Sequence, residues 1–82
     1  MEAVEFLTKI AYRSIAAPSI VSLSDGGIQL EWHRGGIDVE VTFSDHEPGM
    51  YFVDRESGDE REFRLDQAAE AIRPLVKRLS DH

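Results

Sequence analysis

A chain of 82 residues with a formal charge of −7 and no cysteine is bounded before any motif is read. That length supports one domain, 1–82, with a core near the lower limit of what folds unaided, so association would help it without being required. The lack of cysteine excludes a disulfide framework and a thiolate zinc site, the acidic balance repels nucleic-acid phosphates, and Glu2 and Glu5 stand where a signal peptide carries Lys or Arg; a soluble, cytoplasmic chain drawn to basic partners is expected, with no membrane span.

Residues 2 to about 15 place Ala3, Phe6, Leu7, Ile10 and Ser14 on one helical stripe, widened by Val4, Ala11 and Ile15. Glu2 and Glu5 at the start and Lys9 and Arg13 towards the end complement the helix dipole, and Glu5 with Lys9 makes an i,i+4 pair. Pro18 ends this helix by pushing Ala17 out of helical geometry.

Ser19 to Ser24 reads as a first strand, and a two-residue Asp25-Gly26 turn would pair Leu23 with Ile28 and Val21 with Leu30, leaving Ser22 on the wet side. The strongest local signal follows. Ile28, Leu30 and Trp32 alternate with polar residues, as do Ile37, Val39, Val41 and Phe43, and Gly35-Gly36 between them suits a tight turn with positive φ. This hairpin sets Trp32 opposite Val39, Leu30 opposite Val41 and Ile28 opposite Phe43, a register locked because a one-residue slip would put an entire apolar set in water. Truncating Trp32 to Ala is expected to cost roughly 3–5 kcal/mol.

After a polar turn from Ser44 to Gly49, Met50 to Arg55 reads as a fourth strand, and a Ser57-Gly58 turn returns the chain through Glu60 to Leu65 as a fifth. That register faces Phe52 with Phe63 and Met50 with Leu65, while a shifted fourth strand would put Tyr51 and Val53 on the inner face instead. Asp66 is the expected N-cap of a last helix whose stripe is Leu65, Ala68 or Ala69, Ile72, Val76 and Leu79. Pro74 falls inside it and predicts a bend or a restart.

The best constellation for chemistry is His33 opposite Asp38, flanked by Glu31 opposite Glu40, on the wet face of the central hairpin. A histidine among carboxylates can act as a base or bind a divalent ion. One imidazole on an open face without walls, where polar residues are required in any case, is what a solvated sheet surface carries, so no catalytic, cofactor-binding or metal residue is assigned. His46 sits in a turn that needs polar residues, and Asp25-Gly26-Gly27 is not followed by the helix a phosphate loop requires. Arg64, Arg73, Lys77 and Arg78 are interspersed with Asp66, Glu70 and Asp81 and read as a mixed solvated surface.

Pro18 to His33, P-S-I-V-S-L-S-D-G-G-I-Q-L-E-W-H, resembles a signature of short bacterial proteins, P-x-(I/V)-x4-D-G-G-(I/V)-x-(L/F)-E-W, often continued by an acidic alternating strand like I-D-V-E-V. The resemblance implies a bacterial origin and a shared sheet core. The group brings no established activity, cofactor or catalytic residue.

The expected fold is α+β, a five-stranded antiparallel meander with the N- and C-terminal helices packed on one face as a two-layer sandwich. The expected function is a small, acidic, non-enzymatic interaction module, partner or neutraliser of another bacterial protein. Its interaction edge is Ser19, Ile20, Val21, Ser22 and Leu23, because that strand lacks the charges that usually protect an edge. Two alternatives stand beside it: a ligand binder or enzyme using the helix-sheet interface or the Glu31/His33/Asp38/Glu40 face, and a structural homodimer.

Overall fold

A computed structural model describes residues 3–9 and 15–80. Helix α1 (Ala3–Lys9) precedes five strands, β1 (Ser19–Ser22), β2 (Ile28–Arg34), β3 (Ile37–Phe43), β4 (Gly49–Asp54) and β5 (Glu60–Phe63). A 3-10 turn (Leu65–Gln67) leads into α2 (Ala68–Ile72), and a second (Arg73–Leu75) separates it from α3 (Val76–Leu79). The strands form one antiparallel sheet in chain order, with β1 and β5 at its edges.

The β2–β3 hairpin has the expected register, Trp32 opposite Val39, Leu30 opposite Val41 and Ile28 opposite Phe43. Gly35 and Gly36 take φ of 61° and 78°, the two positive values of a type I′ turn, whose twist matches that of the flanking strands. β4 continues the pattern, with Met50 opposite Val41 and Phe52 opposite Val39. The buried residues of these three strands are therefore the alternate ones, Leu30, Trp32, Ile37, Val39, Val41, Met50 and Phe52. They share a single core with Phe6 of α1, Ile15, Ala68, Ala69 and Ile72 of α2 and Leu79 of α3. Phe6 meets Phe43 edge to face, ring centroids 5.8 Å apart.

Both outer hairpins differ from the sequence expectation. In the first, Leu23 N–H donates to the Gly27 carbonyl, Gly26 N–H donates back to Leu23, and Gly26 takes φ of 88°. This is a three-residue loop with a left-handed glycine in place of a two-residue turn. Asp25 stabilises it by accepting from Gly27 N–H at 2.9 Å. The extra loop residue shifts β1 by one position: Ile20 faces Leu30 and Ser22 faces Ile28, so Val21 and Ser19 lie on the opposite face with Gln29 and Glu31. Leu23 belongs to the turn, half-buried, and Ser22 is not on the wet side.

In the last hairpin Asp54 N–H donates to the Asp59 carbonyl, closing a four-residue loop, and the Asp54 carboxylate accepts from the N–H groups of Glu56 and Ser57. Met50 consequently faces Phe63 and Phe52 faces Arg61, two positions from the expected pairing, and Leu65 lies beyond the strand. Asp66 is not the N-cap; Arg64 holds that place, its N–H donating to the Gln67 side chain at 3.2 Å. Pro74 does interrupt the last helix, as the 3-10 turn between α2 and α3. Val4 does not widen the buried stripe of α1, being 67% exposed. The helix expected to continue to residue 15 is described only to Lys9, so Ile10, Ala11, Arg13 and Ser14 lie outside the described residues.

Candidate functional site

Three surfaces can be built up from these elements. The first is the face of the sheet opposite the core. Register places Ser19, Glu31, Glu40, Tyr51 and Glu62 in one row across all five strands, and His33, Asp38, Val53 and Glu60 in the next. Like charges directly opposite destabilise a sheet, and Glu31 faces Glu40, so the face needs compensation. His33 supplies part of it: as imidazolium it donates from Nδ1 to Asp38 at 2.8 Å and from Nε2 to Glu31 at 3.0 Å. Hydrogen bonding to Glu31 and then to Asp38 raises the His33 pKa above its ordinary value. The same bond, with a second from Gln29 Nε2 at 2.6 Å, lowers that of Glu31. Arg55 stands 3.6 Å from Asp38, and Tyr51 donates its hydroxyl to Glu60 at 2.7 Å, which raises the phenol pKa.

The sequence-predicted quartet is thus only partly gathered. Glu31, His33 and Asp38 are joined, while Glu40 shares the row without a hydrogen bond to them. Both ring nitrogens of His33 are engaged by carboxylates, which leaves the imidazole neither a free base nor a free ligand atom. Among the described residues no group of three or more His, Asp or Glu is placed to hold a metal ion.

The second surface is a hollow of about 410 Å³ between β4, β5 and the last helix, walled by Phe52, Phe63, Ala71 and Leu75. Its rim is structural. Arg78 donates to Asp54 Oδ2 and to the Gly35 carbonyl, each at 2.9 Å, tying α3 to two hairpin turns at once. The Arg78 guanidinium holds the Asp54 carboxyl at a pKa of about 2. Sequence reading grouped Arg78 with Arg64, Arg73 and Lys77; the structure disperses them, with Arg64 on Asp66 and Arg73 on Glu70. No local signal announces the Arg78 contacts, which join residues 24 and 43 positions apart.

The third surface is the free edge of β1. All four of its residues are exposed, with Ile20 at 67% and Val21 at 39%. The Leu23–Gly27 bond fixes the alternation: residues 21 and 19 direct their backbone groups to β2, so Ile20 and Ser22 direct theirs outward. Among the described residues no strand and no other backbone hydrogen bond meets that edge. β5, at the far edge, carries Glu60, Arg61 and Glu62, the kind of charge that discourages strand addition.

No protein-family model, curated protein or solved structure matches the chain.

Proposed function

We propose that the protein is a non-enzymatic interaction module of the bacterial cytoplasm, a two-layer α+β sandwich with both helices on the apolar face of its sheet, which engages another protein by accepting a strand at β1. One observation carries the reading: an uncharged, four-residue edge strand with every residue exposed and outward N–H and C=O groups at Ile20 and Ser22. Added strands take affinity from those main-chain groups and specificity from the side chains beside them. Supporting the layer arrangement, one apolar cluster takes in Phe6, Ile72, Leu79 and the alternate residues of the sheet.

A net charge of −7 gives the partner's chemistry. Five carboxylates lie on the outer face of the sheet, Glu31, Asp38, Glu40, Glu60 and Glu62, so a basic protein is drawn in at long range and gripped at the edge. A neutraliser of a basic protein such as a toxin or nuclease has this design.

The test pairs the wild type with Ser22→Pro as baits in a bacterial lysate, with cross-linking mass spectrometry to locate the contact. Proline at 22 removes an outward N–H and no bond to β2. A basic partner cross-linked beside residues 19–23 and released by the substitution supports the proposal. A partner retained by Ser22→Pro, or linked on the hollow, overturns it.

A further inference from the structure

We infer that the β1 edge also pairs with a second copy of this chain, antiparallel and about a two-fold axis through Ile20, joining two five-stranded sheets into one of ten. This rests on the proposal that β1 is an open edge and adds the occupant and the register.

The geometry leaves few registers. Residues opposite one another in an antiparallel pair share a face, so a two-fold pairing must match residues of equal parity, around either Ile20 or Val21. Centred on Ile20, its outward N–H and C=O meet those of Ile20 in the second copy, and each Ser22 N–H reaches the Pro18 carbonyl of the other chain. Pro18 has no N–H to leave unmet there. The two Ile20 side chains, each 67% exposed on the core side of its own sheet, then cover one another. Centred on Val21, the seam would set Ile20 against Ser22 and bring together two valines that are already better covered, at 39% exposure. The first register removes more apolar surface from water.

Within the seam itself no charge stands in the way of a second copy. Ser19, Ile20, Val21 and Ser22 offer nothing to steer or repel, so the complement of the edge is another neutral strand, and its own sequence is one. The charges lie elsewhere, −7 on each chain, and they oppose the dimer at long range. A seam of four residues also falls short of the area a permanent dimer needs, so the association is weak and reversible. Salt therefore tightens it, whereas salt loosens any complex with a basic protein.

Sedimentation equilibrium of the full chain from low micromolar to about 1 mM, in roughly 50 and 500 mM salt, reads the mass and its ionic response. Expected is a rise from 9.3 kDa towards twice that mass, with a dissociation constant several-fold (~3–10) lower at the higher salt. Ile20→Lys and Ser22→Pro should each remain monomeric with unchanged circular dichroism. Amide exchange in the wild type gives a readout free of any variant. The N–H groups of Ile20 and Ser22 should slow with concentration, while those of Ser19 and Val21, already bonded to β2, should not. A wild type that stays monomeric at the top concentration, a dimer that salt weakens, or slowing at other amides instead overturns the inference. Failure here removes only the second copy; the edge as a site for a basic partner is decided by the cross-linking above.

Discussion

Trp32→Phe isolates one hydrogen bond at the centre of the molecule. Trp32 is 2% exposed and its indole N–H donates to the Ala16 carbonyl at 2.7 Å. Ala16 in turn donates its own N–H to the Leu79 carbonyl at 2.8 Å, so this bond joins β2, the loop after α1 and the end of α3. Phenylalanine keeps an aromatic ring in the core and deletes the donor, leaving a buried acceptor unpaired at a cost of about 1–3 kcal/mol. The smaller ring leaves a void worth roughly 1 kcal/mol more. The sum, about 2–4 kcal/mol, is a large part of the roughly 4–12 kcal/mol expected for a domain of 82 residues. At about 4–8 °C per kcal/mol the melting temperature should fall by roughly 10–30 °C. Urea unfolding is followed by circular dichroism, since the substitution removes the only tryptophan. A loss below about 0.5 kcal/mol with an unchanged urea slope would mean that the carbonyl re-pairs at no cost, and the reasoning about this bond would be wrong.

Glycine substitutions should separate two kinds of turn. Gly26→Ala pays for positive φ alone, since open space surrounds it, and should cost about 1–2 kcal/mol. Gly35→Ala adds a Cβ that overlaps the Arg78 backbone carbonyl, so it should cost at least about 2 kcal/mol more by displacing α3; equal urea midpoints would refute the packing argument. Asp54 is held at about pH 2 by Arg78, and because its folded pKa is depressed, the stability it contributes is complete above the ordinary carboxylate range and disappears as pH falls through about 2. Carboxyl NMR should show this low midpoint in the wild type and a return towards 3.8 in Arg78→Gln; a wild-type midpoint near 3.8 would deny the pair. His33 has the opposite sign: its raised pKa makes its contribution complete below about 6.5 and lost as pH rises through the folded value. Urea midpoints of His33→Gln should therefore lack the wild-type decline that sets in as pH rises past about 6.5, and parallel pH profiles for the two proteins would sink the clamp.

The central hairpin was legible because two signals agree there. Period-two alternation on both strands and a Gly35-Gly36 turn leave one register that buries both apolar sets. β1 lacks that agreement: Ile20 stands on one parity and Val21 and Leu23 on the other, so its pattern favours neither face decisively. The choice falls to the turn, where the Asp25 carboxylate accepting Gly27 N–H and the left-handed Gly26 add one residue to the loop. In the last hairpin the observed register differs from the expected one by two residues, which leaves every side chain on the same face. Hydrophobic alternation cannot distinguish such registers, and the Asp54 side chain bonding two loop N–H groups decides between them. The wet face was legible as a set of residues but not as a clamp, since alternation gives the side of the sheet and not which carboxylate a ring nitrogen meets.

The two sides of the sheet are held by different chemistry, and the difference locates where the molecule can take on a partner. At the β2–β3 and β4–β5 turns, Arg78 joins Asp54 and Gly35, and Arg55 N–H donates to the Gly36 carbonyl, so the two turns and α3 are bonded to one another. Among the described residues β1 has no such anchor. Its four residues are all exposed, and it is held by its ladder to β2 and by the loop at Asp25, whose carboxylate also accepts from the Ser44 hydroxyl. An element with so little buried surface opens at a small fraction of the global free energy. A strand added on its open side bonds Ile20 and Ser22 while β2 bonds Ser19 and Val21, so β1 is then held from both sides. Ordering of β1 and binding at β1 are therefore coupled, and a strand held from one side gains from pairing on the other.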